Sequence, residues 1–128
     1  VVHTHSIYAS ALAVAHRPLP PMIDEMVTTL GGEVGVTRYA FPSTEDLAER
    51  VADSIGDRNA VLLANHGVVG VGHDPRGALS VCELVERAAH IYTIATLLGG
   101  AQELPEDVVD TEMELFKMMR DVSEGGGS

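Results

Sequence analysis

The sequence predicts an α/β fold in which helices pack on a central sheet. Two apolar runs, AVLLA at 60–64 and VVGVG at 68–72, have the length of buried strands and are separated by the residues NHG. Segments with apolar residues at helical spacing lie before and after this pair. Helices and strands therefore alternate along the chain, which is typical of a layered domain built around one sheet.

Proline and glycine separate the expected elements in the N-terminal part of the chain. Proline lacks an amide hydrogen and restricts the residue before it, so the RPLPP run at 17–21 ends a helix that Ser6 is expected to cap. Gly31–Gly32 is expected to end the next helix, because glycine readily adopts the left-handed conformation of helix C-termini. The expected elements are a strand at 1–5, helices at 6–16 and 22–30, and a short strand at 33–38.

Three further helices are expected to flank the hairpin. Ser43 suits a helix N-cap, and Gly56 suits the end of that helix. Pro75 is compatible with a first helical turn. In the hairpin, Asn65 and Gly67 are expected at positive φ, which both residues tolerate. The expected elements are a helix at 43–55, strands at 60–64 and 68–72, a helix at 74–98 and a last helix that starts near 105.

The composition limits the size of the domain and the class of partner. Of the 128 residues, 45% are hydrophobic, which is enough for one core, and we expect a domain over 1–122 followed by a flexible Gly/Ser tail at 123–128. The formal net charge is −11, so the phosphates of a nucleic acid would be repelled. No apolar run reaches the ~18 residues of a membrane span. We therefore expect neither nucleic-acid nor membrane partners.

The single cysteine indicates a reducing compartment. One cysteine cannot form an intrachain disulfide, so the chain fits the cytoplasm. Cys82 falls within the apolar pattern of the long helix, and we expect a buried, inert thiol there.

Three histidines predict a metal site. His3 and His5 are two residues apart on an expected strand, so their side chains point to one face. His66 follows the buried strand, where an unpaired imidazole would be costly and where Gly67 lets the chain turn. Three neutral imidazoles suit Zn²⁺, which acts as a Lewis acid when one coordination position is open. The alternatives are an incidental histidine pair and a hydrogen-bonded loop histidine.

The other three histidines have simpler expected roles. His16 lies at a helix end, where a positive charge interacts favourably with the helix dipole. His73 lies in a turn, and His90 lies on the polar side of the long helix.

Several short motifs carry a resemblance to a known family. They are VVHTHS at 1–6, the proline-rich break, GGE at 31–33, YAFPS at 39–43 and LLANHG at 62–67, in this order. HTHS combined with the later NHG is specific. On these residues the chain resembles the class II aldolase/adducin family over about residues 1–120, and most of all its L-fuculose-phosphate aldolases. The resemblance implies a three-layer α/β/α fold and a zinc ion held by His3, His5 and His66.

The resemblance also implies an activity and an assembly. Enzymes of this family cleave or epimerise a phosphorylated ketose next to its carbonyl, and the aldolases among them release dihydroxyacetone phosphate and an aldehyde through a metal-stabilised enediolate. They usually form homotetramers whose active sites lie between subunits. A small-molecule sugar phosphate is therefore the expected substrate.

Two departures from the family pattern bear on catalysis. The family's catalytic carboxylate and phosphate-binding loops precede HTHS, so we expect this chain to be the C-terminal portion of an incomplete domain, without that carboxylate. After the proline break, where the family places an acid supplied by a neighbouring subunit, this sequence has Asp24. Asp24 is a candidate catalytic acid or base, and a solvated carboxylate near a helix N-terminus is the alternative.

Other functions on the same scaffold stay open at this point. A pentulose-phosphate 4-epimerase or a methylthioribulose-phosphate dehydratase would use the same three histidines. An adducin-like assembly module would keep the fold without the chemistry, and it would need no converging ligand set.

Overall fold

The computed structural model describes residues 1–126, with side chains described as far as Val122. Its elements are β1 (Val2–Thr4), α1 (Ile7–Val14), a π-helix (Met26–Leu30), α2 (Glu45–Ile55), β2 (Ala60–Leu63), β3 (Gly67–Gly70), α3 (Pro75–Leu97) and α4 (Glu106–Gly126). Helix α4 continues through 123–126, and residues 127–128 of the expected tail lie outside the described residues.

The three strands form one antiparallel sheet in the order β1-β3-β2. The register pairs Thr4 of β1 with Val68 of β3, and it pairs Leu63 of β2 with Gly67 of β3. The predicted hairpin is therefore present. Asn65 in its turn has a φ of 60°, as expected for this residue.

Alternation along the strands sends apolar side chains to both faces of the sheet. Leu62 and Val68 pack in the main core beneath α1 and α3. The opposite face carries Val61, Leu63 and Val69, and it meets the apolar stripe of α2 formed by Leu47, Val51 and Ile55. The result is the predicted three-layer arrangement, with α1 and α3 on one side of the sheet and α2 on the other.

The segment between α1 and α2 contains one short helical element, the π-helix. The predicted helix at 22–30 is α-helical only at Asp24–Glu25 and then continues as the π-helix. It ends at Gly31, whose φ of 91° is the left-handed C-cap that the sequence indicates. A Cβ atom on Gly31 would lie 2.9 Å from the Phe116 ring, so this glycine lets α4 pack on the π-helix.

Two local predictions for this part of the chain are wrong. Residues 33–38 form no strand, because Val34 bridges to Leu19 while Val36 bridges to Leu62, and single pairings with different partners do not make a ladder. The N-cap of α2 is Thr44, whose Oγ1 accepts a hydrogen bond from Leu47 N at 3.2 Å. Ser43 instead takes a positive φ of 64° before the helix.

The start of α3 and the cysteine agree with the sequence. Asp74 caps α3, with Oδ1 2.7 Å from Gly77 N, and Pro75 occupies the first turn. Cys82 is buried within the α3 core face. Within the described part of the chain, no helix is both long and apolar enough to cross a membrane.

Candidate metal centre

The predicted histidines meet at one end of the sheet. Val2 packs against the main core, so strand alternation turns His3 to the opposite side, and His5 follows two residues later. Because β1 runs antiparallel to β3, the end of β1 lies beside the start of β3, which directly follows His66. Strand pairing thus brings together side chains that are more than sixty residues apart in sequence.

The ring nitrogens of the three histidines converge. His5 Nε2 lies 2.8 Å from His3 Nε2, and His66 Nε2 lies 3.1 Å from the same atom. His3 and His5 are exposed and His66 is half-buried, so the cluster opens to solvent on one side. Among the described residues, no carboxylate or thiol joins this group.

Hydrogen bonding of His3 prepares its inward nitrogen for a metal. His3 Nδ1 lies 2.9 Å from the carbonyl oxygen of Val68, so Nδ1 carries the hydrogen and donates it. The Nε2 atom of the neutral ring is then left with a lone pair that faces two further nitrogens. Two nitrogens bound to one tetrahedral zinc at about 2.0–2.1 Å lie about 3.3 Å apart, close to the separations observed. The donor set therefore fits Zn²⁺.

The electrostatics of the cluster favour the neutral form of His66. Burial lowers the pKa of His66, and positive charge on His3 and His5 lowers it further. Neutral imidazole is the form that coordinates a metal. His66 Nδ1 is buried and has no hydrogen-bond partner within the described residues. The ring of His3 is therefore oriented by its hydrogen bond to Val68, whereas the position of His66 is set by the backbone of its turn.

Gly67 has a different role from the one predicted. Its φ is not positive, so the expectation of a left-handed turn residue is wrong at this position. Its importance is steric, because a Cβ atom there would lie 2.3 Å from the Thr4 carbonyl oxygen and 3.0 Å from His5 Cδ2. The absence of a side chain lets the turn with His66 approach the end of β1.

Helix α1 follows the His3–His5 segment in the chain and contacts the turn that carries His66. At its C-terminus, Asn65 N donates to the carbonyl oxygen of Ala13 at 3.1 Å, and His16 Nε2 lies 2.6 Å from Asn65 Oδ1. His16 therefore holds the turn before His66, a role that its position at a helix end did not indicate. No local sequence pattern could have revealed it, because the contact spans 49 residues.

The N-terminus of α1 is capped from another helix. Ser6 occupies the predicted N-cap position, but its side chain makes no capping hydrogen bond. The Glu86 carboxylate of α3 accepts hydrogen bonds from Tyr8 N at 3.1 Å and from Ala9 N at 2.8 Å instead. Sequence reasoning missed Glu86, since acidic residues on a helix surface are common.

Asp24 lies apart from the histidine cluster. It is exposed at the start of the helical turn that precedes the π-helix. A hydrogen bond with Asp24, together with desolvation and the charge of Asp24, raises the pKa of Glu112 on α4. The part proposed for Asp24 in a neighbouring subunit's site stays a prediction.

Comparison with known proteins places this arrangement in a family. A sequence model described as "Class II Aldolase and Adducin N-terminal domain" matches residues 1–93. The 5-deoxy-D-ribulose 1-phosphate aldolase of Bacillus thuringiensis serovar kurstaki is 33% identical over 117 residues, which cover 91% of this chain and 54% of that protein. The 5-methylthioribulose-1-phosphate/5-deoxyribulose-1-phosphate aldolase of Rhodospirillum rubrum is 29% identical over 121 residues, or 94% of this chain and 55% of that protein.

A solved structure gives the same assignment. An L-fuculose 1-phosphate aldolase superposes with a TM-score of 0.83 at 36% identity, over 90% of this chain and 54% of that one. The chain thus spans about half the length of the relatives it matches. On this evidence, the chain belongs to the family of class II aldolase and adducin N-terminal domains.

Proposed function

We propose that this chain is the zinc-binding portion of a sugar-phosphate aldolase. The observation that carries the proposal is the convergence of three Nε2 atoms, with 2.8 and 3.1 Å between neighbours. The proposed reaction cleaves a phosphorylated ketose to dihydroxyacetone phosphate and an aldehyde. The names of similar proteins support this reaction class, since they include aldolases for ketose 1-phosphates.

Each residue of the cluster has a defined task in this proposal. His3, His5 and His66 would hold the ion, and the bond from His3 Nδ1 to the Val68 carbonyl would keep the His3 ring in its orientation. A zinc ion held there would supply a Lewis acid for a substrate carbonyl. Exposure of His3 and His5 leaves an approach for the substrate from the solvent side.

Proton transfer would come from outside the cluster. Among the described residues no carboxylate joins the three histidines, so a carboxylate from another part of the assembled protein is the proposed main acid and base. Asp24 is the proposed second acid or base, acting on the site of a neighbouring subunit in a cytoplasmic homotetramer. Its exposure is compatible with such a role, because a group that serves a neighbour's site must be accessible from its own surface.

The substrates named for the similar proteins share one structural feature, which indicates the substrate class to propose for this chain. The names 5-deoxyribulose 1-phosphate, 5-methylthioribulose 1-phosphate and fuculose 1-phosphate share a ketose with phosphate on carbon 1. Cleavage between carbons 3 and 4 yields dihydroxyacetone phosphate from each, and only the aldehyde differs. We therefore propose a ketose 1-phosphate, and a panel of these three compounds tests the choice.

Metal analysis and one substitution test the proposal. The complete protein that contains this chain should purify with about one zinc per chain and should cleave at least one compound of the panel. His66→Ala should lose both zinc and cleavage while the far-ultraviolet circular dichroism spectrum is retained. His73→Ala is the matched control, since His73 is exposed and lies outside the cluster.

Two results would contradict different parts of the proposal. A fully folded protein that takes up no transition metal would remove the metal site. Cleavage that persists after complete chelation would leave the site but refute its catalytic role. An epimerase or a dehydratase would bind zinc and convert pentulose phosphates without releasing dihydroxyacetone phosphate, and an assembly module would retain function in His66→Ala.

A further inference from the structure

Glu86 joins the start of α1 to α3. Its two carboxylate oxygens accept separate hydrogen bonds from successive amides, at 3.1 Å from Tyr8 N and 2.8 Å from Ala9 N. Amides in the first turn of a helix have no partner within the helix, and they carry the positive end of its dipole. A carboxylate that accepts two of them makes charge-assisted hydrogen bonds, which are stronger than neutral ones.

The part of α3 that carries Glu86 is packed firmly in the core. The neighbouring α3 residues Val85 and Ala89 are fully buried in the main core. One helical turn beyond Glu86, the His90 ring stacks on the Tyr8 ring, with 3.9 Å between ring centroids and 11° between planes. Two side chains of α3 therefore fix the N-terminal turn of α1.

Placement of His5 depends on this turn. β1 ends at Thr4 and α1 begins at Ile7, so His5 lies in a two-residue connection between them. Strand pairing fixes one end of the connection, and the N-terminus of α1 fixes the other. Metal coordination tolerates ligand distances within about 0.2 Å, so a small displacement of this connection is enough to affect binding.

We propose that Glu86 is a positioning residue for the metal centre. It holds the N-terminus of α1 and thereby keeps His5 beside His3 and His66, whose segments are already joined by the pairing of β1 with β3. This inference rests on the proposed zinc site. The opposite end of α1 is bound through Ala13 O to Asn65 N in the turn that carries His66. An eight-residue helix, about 12 Å long, thus connects the two ligand segments.

Zinc affinity of matched variants tests the inference. Glu86→Ala removes both the charge and the acceptors, whereas Glu86→Gln removes the charge but keeps an acceptor oxygen for one amide. Asp74→Ala is the control, because it also deletes a carboxylate that caps a helix, at Gly77 N in α3. The dissociation constant for zinc is measured by competition with a chromophoric chelator, at a temperature where each variant has the wild-type circular dichroism spectrum. The visible absorption spectrum of the Co²⁺-loaded chain reports the ligand geometry.

The expected result separates positioning from general stability. Glu86→Ala should weaken zinc binding by about 10-fold or more, the range found for groups that orient metal ligands, and should change the cobalt spectrum. Glu86→Gln should recover part of both, and Asp74→Ala should match the wild type. If Glu86→Ala does not fold, Glu86→Gln decides the question through its intermediate affinity and altered spectrum.

Three outcomes would overturn the inference. Wild-type affinity and spectrum in both Glu86 variants would show that α1 does not control the ligands. An equal loss of zinc affinity in Asp74→Ala would show that the effect comes from general stability and not from positioning of the ligands. A wild-type chain that binds no zinc would overturn the proposed function and this inference together, whereas zinc binding unaffected by the Glu86 variants overturns the inference alone.

Discussion

Replacement of Gly67 by alanine is the sharpest test of how the metal centre is built. A Cβ atom at this position would lie 2.3 Å from the Thr4 carbonyl oxygen, which belongs to the backbone of β1. Ordinary contact between a carbon and its neighbours begins at about 3.5 Å, so the turn and the strand must separate by about 1 Å. The neighbouring atom belongs to the main chain, so no change of side-chain rotamer can relieve the clash.

Two quantities follow from that displacement. Forcing extra atoms into a packed site costs about 1–3 kcal/mol, so the free energy of unfolding of Gly67→Ala should fall by this amount. A separation of about 1 Å between His66 and the His3–His5 pair is several times the tolerance of metal–ligand distances. Zinc affinity should therefore fall by more than about 100-fold, the upper end of the loss that follows removal of a group outside the ligand set.

The assay separates the two effects. Urea denaturation with excess chelator gives the stability of the metal-free chain, which excludes the contribution of bound zinc. Chelator competition under native conditions gives the zinc affinity. Gly35→Ala is the matched control, because no atom lies within 4 Å of its Cβ position and its φ is not positive. Wild-type zinc affinity in a folded Gly67→Ala chain would refute the steric reasoning.

Three further measurements test the packing of the core, the burial of Cys82 and the contact between Glu112 and Asp24. Leu62 is fully buried, so Leu62→Ala should lower the free energy of unfolding by about 2–5 kcal/mol in urea denaturation, and a smaller loss would show that the core collapses around the cavity. Burial raises the pKa of the Cys82 thiol, so Cys82 should react slowly with a thiol reagent at pH 8 and rapidly in urea; fast reaction of the folded chain would contradict its burial. The hydrogen bond with Asp24 raises the pKa of Glu112, so the stability this contact gives is present at acidic pH and is lost as the pH rises through that raised pKa. Glu112→Gln should then be more stable than the wild type at pH 7, with a difference that shrinks towards pH 4, and a constant difference would refute the pairing.

Local sequence patterns were sufficient for the layers of the fold. The apolar run at 60–64 has no polar interruption, which predicted a strand buried on both faces, and β2 is such a strand. Leu47, Val51 and Ile55 are spaced four residues apart, which indicates one apolar face, and α2 covers the sheet with this face. Both patterns show which side chains avoid water, and a strand or helix in the core must turn those side chains inward.

The strand predicted at 33–38 failed for a physical reason. Its composition is compatible with extended backbone, and Leu62 indeed donates its amide to Gly35 O and accepts from Thr37 N. A strand requires consecutive pairing with one partner, and that depends on where Leu19 and β2 lie in three dimensions. Sequence spacing carries no information about such a choice.

The residue types of the candidate centre were accessible from sequence, but its supports were not. Spacing alone placed His3 and His5 on one side of a strand, and the histidine after the buried strand was the natural third ligand. Gly67 was identified as a turn glycine, because the Thr4 carbonyl that excludes a side chain there is 63 residues away in sequence. Contacts of this kind exist only after β1 has paired with β3.

The position of α1 explains why changes at distant residues should act on the metal before they act on the fold. Glu86 holds one end of this helix and Asn65 is held at the other, and neither side chain is part of the buried core. Loss of either contact leaves the apolar packing of Ala9, Leu12 and Ala13 in place. The helix would then keep its place on the sheet while its ends gain freedom. Because coordination is far less tolerant of displacement than apolar packing, affinity for zinc should fall well before the chain unfolds.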